Sequence, residues 1–233
     1  ANTTNEYPET LKHIQWEINE NHTNIITVYP IDSKGEMWNF KKVVERYGYP
    51  MFSKRVSNAI RTYQHAKTNR TKQNSIDYIE RNFKKYKDYM ELPISDKCCD
   101  KLKKEPLRRK AKELGMDCVI LGILASESYQ REKAWLEYGC NVFYKLKDNQ
   151  CKPLSFWTDE DISEYIDKYK VKIPDLYNMG YTRNGCMYCG FGVHLEPAET
   201  NRYKKLKETH PLQYAYFINN FSDLMIEFDV SYN

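Results

Sequence analysis

Four cysteines stand out by spacing. Cys186 and Cys189 form a C-x-x-C directly after Gly185, and Cys98 and Cys99 are adjacent roughly ninety residues earlier. A C-x-x-C lets two thiolates face one centre across a tight turn, and Gly190 and Gly192 loosen the backbone around it. Four thiolates are the donor set of an iron–sulfur cluster or of a structural zinc. Vicinal side chains diverge, which suits a 4Fe–4S core with separate iron corners better than a single zinc. Two other readings stay open at this point: a C-x-x-C thiol–disulfide couple, and four ordinary cysteines. The remaining thiols, Cys118, Cys140 and Cys151, lie on or beside expected strands and read as core residues. His194 follows the C-x-x-C by five residues and reads as a loop residue, with ligation in place of a thiolate as its other use.

Several cations could serve an anion. Arg131 follows a loop after the clearest strand, where a guanidinium could pair bidentately with phosphate. Lys103, Lys104, Arg108, Arg109 and Lys110 form a basic stripe beside the cysteine pair, and Arg183 stands just before the C-x-x-C. Residues 52–88 carry Lys54, Arg55, Arg61, Lys67, Arg70, Lys72, Arg81, Lys84, Lys85 and Lys87, interleaved with Tyr63, Tyr78 and Tyr86. Phosphate binding by such a face would be salt-dependent.

The elements that must position these groups are legible as patterns. Leu11, Ile14 and Ile18 predict a helix over 9–20. Residues 25–29, β-branched and short, predict a buried strand. Residues 38–47 predict a helix stopping near Gly48 and Pro50, and Ile79, Phe83 and Tyr86 mark a helical face further on. Cys98 and Cys99 begin a short helical turn, with a further helix over 106–114 opened by Pro106. Residues 117–123 form a continuous apolar run, predicting a strand buried on both faces of a parallel sheet. A helix to about Tyr138 and a strand over 142–146 follow. Thr158 and Asp161 make a capping box for a helix whose Tyr165 and Tyr169, with Tyr177 beyond it, read as a core-facing stripe. Trp157 reads as a packing anchor. Residues 171–185 are turn-rich, and helices near 198–208 and 211–223 close the chain. Strands alternating with helices predict an α/β fold with a parallel sheet.

At 233 residues, 41% hydrophobic and with a net charge of +4, the chain can bury a core and suits an anionic ligand without demanding nucleic acid. The mean hydropathy of −0.80 comes from Lys, Glu, Asn and 20 tyrosines. No apolar run is long enough to cross a bilayer and no signal-peptide pattern occurs, so a cytoplasmic protein without a membrane partner is expected. Seven cysteines without a secretory signal read as metal or redox use rather than a disulfide scaffold.

Longer patterns resemble the phosphoadenosine phosphosulfate (PAPS) and adenylyl-sulfate reductase family, within the adenine nucleotide α-hydrolase-like superfamily. Pro153-Leu154, Trp157-Thr158, Asp161-Ile162, Tyr165-Ile166, Leu176-Tyr177, Gly180-Tyr181 and Gly185-Cys186 are similar, in order and spacing, to the family's C-terminal signature. Cys98-Cys99, Lys103, Pro106-Leu107, the strand ending at Gly122, Ser128 and Arg131 are similar to its double-cysteine segment and substrate loop. Residues 3–10 (Thr-Thr-Asn-Glu-Tyr-Pro-Glu-Thr) look like its aspartate–threonine–glycine segment with the following proline–glutamate–threonine. The resemblance implies a doubly wound parallel sheet flanked by helices, with a helical C-terminal part carrying the cysteine cluster, and a single domain over 1–233. It implies a 4Fe–4S cluster on Cys98, Cys99, Cys186 and Cys189, with zinc the lesser alternative. It implies an adenine nucleotide or sulfonucleotide near Thr4, Glu6, Ser128 and Arg131, at the carboxyl ends of the strands. A thioredoxin-like reductant and a homodimer are further expectations.

The sequence departs from the family in three places. The serine–glycine–glycine–lysine–aspartate–serine phosphate loop would precede Ala1, so an upstream segment is expected. Residues 228–233 lack the family's nucleophilic cysteine, so the thiol that attacks sulfur must come from elsewhere. Ala125 and Glu127 stand where the family carries arginine and aspartate. The implied activity is sulfonucleotide reduction. Its rivals are a nucleic-acid sulfur-modifying protein of the same superfamily and a degenerate binding module.

Overall fold

The computed structural model describes residues 1–143 and 149–232. The helices are α1 (Pro8–Glu20), α2 (Phe40–Tyr47), α3 (Lys54–Gln64), α4 (Asn69–Phe83), α5 (Lys97–Cys99), α6 (Glu105–Glu113), α7 (Tyr129–Tyr138), α8 (Asp159–Tyr169), α9 (Arg202–Thr209) and α10 (Pro211–Glu227). The strands are short: β1 (Met51–Phe52), β2 (Cys118–Ile120), β3 (Asn141–Val142), β4 (Asn149–Cys151) and β5 (Gly190–Phe191). The fold is α/β, with parallel pairing of β1 with β5 and of β2 with β4, and a helical C-terminal part. The chain divides into two compact units, Ala1–Leu107 with Asp175–Asn233, and Arg108–Pro174.

In the first unit, polar residues open the helices at their orphan N–H groups. The side chains of Asn39, Ser53 and Thr68 accept from Lys42, Val56 and Thr71 N–H, and Asn201 accepts from Tyr203 and Lys204. Pro8 and Pro211 start α1 and α10. Buried faces of these helices close on one core. Val43 of α2, Val56 and Ile60 of α3, Ile79 of α4, Leu206 of α9 and Phe217, Phe221 and Met225 of α10 are buried around Tyr49, Met51 and Phe228. Each such side chain contributes about 1.5–3 kcal/mol by leaving water.

At the centre runs the stretch 49–52, extended up to Phe52, whose φ is 61°, and flanked on both sides. Tyr49 bridges in parallel to Ile94, with Tyr49 N–H donating to Pro93 C=O at 2.7 Å and Ser95 N–H to Tyr49 C=O at 2.9 Å. On the other edge Met51 sits opposite Gly190 and Phe52 opposite Phe191. Two glycines permit this packing. A Cβ on Gly48 would lie 2.6 Å from Pro93 O, and one on Gly190 would lie 2.6 Å from Pro50 O.

A buried pair joins the two ends of this unit. Glu9, in the first turn of α1, accepts a hydrogen bond from His210 Nε2 at 2.9 Å, and His210 Nδ1 lies 2.7 Å from Thr209 Oγ1. Burial pushes the Glu9 carboxyl up, but the His210 hydrogen bond, helped by the local backbone, outweighs it and leaves the group below its ordinary value of 4.5. A depressed carboxyl stabilises the fold above its unfolded pKa and loses that contribution as pH falls through it. Urea unfolding of Glu9→Gln should therefore show a shallower loss of stability between about pH 6 and pH 3 than the parent shows. Identical acid limbs would contradict the pairing.

The second unit holds β2, β4 and β3 in that order, with β3 antiparallel to β4. Thr158 caps α8, accepting from Asp161 N–H while Asp161 accepts from Thr158 N–H, as the capping box predicts. Several expectations are corrected here. The apolar run at 117–123 gives a strand over Cys118–Ile120 alone, with Ile120 74% exposed instead of buried on both faces. The reason is cover: Cys118 and Ile120 on one face are exposed and Val119 on the other is only half-buried, so neither face carries a full layer among the described residues. Cys118 is exposed and Cys140 and Cys151 are half-buried, so none is a core residue. Tyr165, Tyr169 and Tyr177 are exposed, with Tyr165 edge-on to Trp157. In the first unit, residues 25–29 form no strand: Ile25, Ile26 and Tyr29 find no covering layer and stay exposed. The strand expected over 142–146 is seen as Asn141–Val142, and residues 144–148 lie outside the described residues.

Candidate metal centre and nucleotide turn

The 49–52 stretch decides where the cysteines go. Ile94, on one of its edges, lies four residues before Cys98, and Gly190, on the other edge, directly follows Cys189. One short strand thus brings the mid-chain pair and the late C-x-x-C to the same place. Cys98 and Cys99 lie in α5, which runs through one π-helical turn into α6, and their sulfurs are 4.0 Å apart. The four thiols are near enough to act on one another's charge: Cys98 feels Cys99, Cys189 and Cys186, and Cys186 feels Cys189 and Cys99.

Their acidities diverge for physical reasons. The Cys98 thiol donates towards Cys99, which pulls Cys99 below its ordinary value and lifts Cys98 well above it. Lys54, Lys104 and Lys103 add to the lowering at Cys99. Desolvation drives Cys189 up. Cys186 keeps part of its surface open to solvent, yet its thiol is pushed up to about 12, chiefly by desolvation and then by the neighbouring Cys189 and Cys99. Three thiols pushed up and one, Cys99, lowered to about 6 beside the lysines form a donor set whose remaining protons a cationic centre would displace. Among the described residues no three or more His, Cys, Asp or Glu side chains converge as a single bound ion would need.

The N-terminal turn packs directly on the C-x-x-C. Asn5, fully buried, accepts Met187 N–H through its backbone carbonyl at 2.9 Å and Tyr188 N–H through its side chain at 3.2 Å. Thr3 Oγ1 lies 4.0 Å from Cys186 Sγ. Glu6 closes the turn, its carboxylate accepting from Thr3 N–H at 2.7 Å and Asn5 N–H at 3.2 Å. That folding leaves Thr4 exposed at the tip with φ of 63°.

Behind the cysteine loop lie groups that spacing does not reveal. Arg202, from the first turn of α9, donates to Cys189 C=O at 3.0 Å and is clamped by Glu196. Tyr49 Oη, fully buried, donates to Tyr188 C=O and lies 3.1 Å from Tyr203 Oη. Arg183 reaches Phe191 C=O at 3.4 Å. Of these the sequence singles out Arg183 alone, as the cation just before the C-x-x-C, while Asn5 lies within the Thr3–Thr10 resemblance block. His194 packs edge-on between Phe52 and Tyr86 as an aromatic spacer, and no metal-ligand group includes it.

In the second unit, Ser128 caps α7, its hydroxyl accepting from Arg131 N–H at 3.4 Å. The Arg131 guanidinium is ion-paired with Glu127, whose carboxylate also accepts from Leu124 N–H at 3.0 Å. A phosphate reaching Arg131 must therefore displace or share Glu127.

The model of the phosphoadenosine phosphosulfate reductase domain matches residues 38–190, about two thirds of the chain. An adenosine 5'-phosphosulfate reductase of Mycolicibacterium smegmatis is 35% identical over 92 residues, 40% of this chain and 37% of that protein. One of Rhodococcus opacus is 31% identical over 94 residues, 40% of this chain and 36% of that protein. The chain spans 36% to 44% of the length of the four curated relatives it matches. A phosphoadenylyl-sulfate reductase structure from Candida auris, a phosphate complex, aligns with a TM-score of 0.45 at 17% identity, covering 79% of this chain and 66% of that one.

Proposed function

Because the chain belongs to the phosphoadenosine phosphosulfate reductase domain family, we propose that it acts on an adenine sulfonucleotide, adenylyl sulfate or its 3'-phosphorylated form, as a sulfonucleotide reductase. In this reading Cys98, Cys99, Cys186 and Cys189 hold a 4Fe–4S cluster. The observation that carries it is the 49–52 stretch, flanked by the segment leading to Cys98 on one side and by the C-x-x-C on the other. The chemistry of the donor set fits the group: four soft thiols that act on one another's charge, with Lys54, Lys103 and Lys104 to offset the negative charge of a thiolate cluster. A cuboidal core takes one thiolate at each iron corner, so the four sulfurs need not converge on one point. When bound, the cluster supplies a fixed electrostatic field and a rigid brace for the C-x-x-C loop.

The chain's own residues do the rest. Asn5 ties the 3–6 turn to residues 187 and 188, so ligand contacts at Thr4 are held in register with the cysteine loop. Glu6 shapes that turn through its backbone bonds. In the second unit, Ser128 and Arg131 offer a capped helix start and a guanidinium to an anionic group. Reduction needs a thiolate to attack the sulfate sulfur, with the adenylate phosphate oxygen leaving, and a second thiol to release sulfite. A thioredoxin-like dithiol is the class of reductant that supplies both.

The test is sulfite release from adenylyl sulfate and from its 3'-phosphorylated form with a reduced thioredoxin-like protein present, alongside calorimetric binding of AMP. Sulfite formation from one of the two, with AMP affinity falling about tenfold on Arg131→Gln, is the expected result. No sulfite from either nucleotide, and no heat of AMP binding, would overturn the reading.

A further inference from the structure

The chain's positive charge is concentrated in one place, of which the cysteine site uses Lys54 alone. Residues 54–87 carry ten Lys or Arg against Asp77 and Glu80, a net +8, whereas the whole chain is +4. The rest of the molecule is therefore net negative by four. These residues build the α3–α4 hairpin and the 3-10 turn after it. Little of this charge is neutralised internally. Arg61 pairs with Asp96 and Lys87 with Glu80, while Lys54, Arg55, Lys67, Arg70, Lys72, Lys84 and Lys85 have no carboxylate partner among the described residues.

Between the two helices lies an open groove of about 510 Å³, lined by Lys54, Arg55, Asn58, Thr71, Asn74 and Tyr78 among others, and no carboxylate lines it. Its groups are held ready. Arg55 Nε donates to Tyr78 Oη at 3.0 Å, and its guanidinium lies 5.5 Å from the Phe83 ring centroid. Outside the groove, on the same hairpin and the turn after it, Lys72 sits 4.7 Å from the Tyr63 ring centroid and Lys85 4.9 Å from that of the buried Tyr86. A cation-rich groove with one half-exposed tyrosine ring, Tyr78, and two carboxamides, Asn58 and Asn74, matches the chemistry of a sugar-phosphate strand with unpaired bases. Cations take phosphates, rings stack on bases, and amides meet base edges. An acidic peptide would need the cations alone. A mononucleotide would leave the charge at 67–72 and 84–87 unused.

We propose that the α3–α4 groove binds single-stranded nucleic acid. The site shares only Lys54 with the cysteine centre and involves neither the cysteines nor the 3–6 turn. The test is fluorescence anisotropy with labelled oligo(dT) and oligo(U) of about 20 nucleotides, from about 50 mM salt upwards. Binding is expected at low salt, with log K falling linearly with log salt. The exposed variant Arg55→Gln, at a residue the cysteine centre does not use, should lower affinity about threefold or more and reduce the salt slope by about 0.7, one phosphate contact's worth for a single strand. Arg70→Gln/Lys72→Gln, on the other helix, should act in the same direction, and circular dichroism of both variants should match the parent. No binding at low salt, or both folded variants binding like the parent, would overturn the proposal. Displacement of the oligonucleotide by poly-glutamate at equal charge concentration would also overturn it, pointing to an acidic peptide instead.

Discussion

Gly190→Ala is expected to destabilise the protein by about 3 kcal/mol or more and to cost it the cysteine centre at the same time. The new Cβ would sit 2.6 Å from Pro50 O, 2.8 Å from Met51 Sδ and 3.0 Å from a ring carbon of Tyr49. Met51 Sδ is flexible, but the Pro50 carbonyl is main chain, and its neighbour Tyr49 is held on its far side by the bonds to Pro93 and Ser95. The strand cannot retreat without breaking one pairing or the other. Since Cys189 is the residue before Gly190, relief of the clash moves a sulfur. Gly48→Ala should be comparably severe: the added Cβ meets Pro93 O at 2.6 Å, and φ of +101° is itself unfavourable to a side chain. Gly35→Ala and Gly115→Ala are the controls. Both have positive φ but open space, so a cost of about 1 kcal/mol is expected. Urea denaturation of the four variants measures the difference. A Gly190→Ala protein as stable as the parent would show that the close approach of the two strands is not what fixes the site.

Loss of any one thiol of the four should remove the centre as a whole. Cys98→Ser, Cys99→Ser, Cys186→Ser and Cys189→Ser each substitute a poor ligand for a good one, and a cluster missing one corner is exposed at that iron. Iron content is expected to fall about tenfold or more in each. Cys118→Ser, Cys140→Ser and Cys151→Ser should keep the iron of the parent, because those three thiols belong to the other unit and are exposed or half-buried. Iron analysis of the seven proteins, purified without oxygen, gives the pattern. Retention of iron after substitution within either pair would exclude a four-thiolate centre.

What the sequence made legible follows the range of its signals. The C-x-x-C and the adjacent pair are visible because ligand chemistry demands particular residue types at short spacing. The capping box at Thr158 and Asp161 is visible because both of its bonds are local. The meeting of the two cysteine pairs is not visible. It depends on Tyr49 pairing with Ile94 and Met51 with Gly190, contacts made by two-residue strands too short to carry a periodic pattern. A Gly-Tyr-Pro stretch reads as a helix stop, and it is one, yet the same residues then form the central strand. Glu9 and His210, 201 residues apart, and Arg202 against Cys189 C=O carry no local pattern at all. The misread stretches, 25–29 and 117–123, share another cause. Apolar β-branched runs announce a strand, but whether a layer covers them is decided by residues elsewhere in the chain.

Visible absorption with iron and sulfide analysis of the anaerobically purified protein tests the central claim most directly. The account predicts a brown protein with a broad band in the iron–sulfur region and about four irons and four sulfides per chain, lost equally on Cys99→Ser and on Cys189→Ser. A colourless protein carrying one zinc, or iron that survives either substitution, would contradict it.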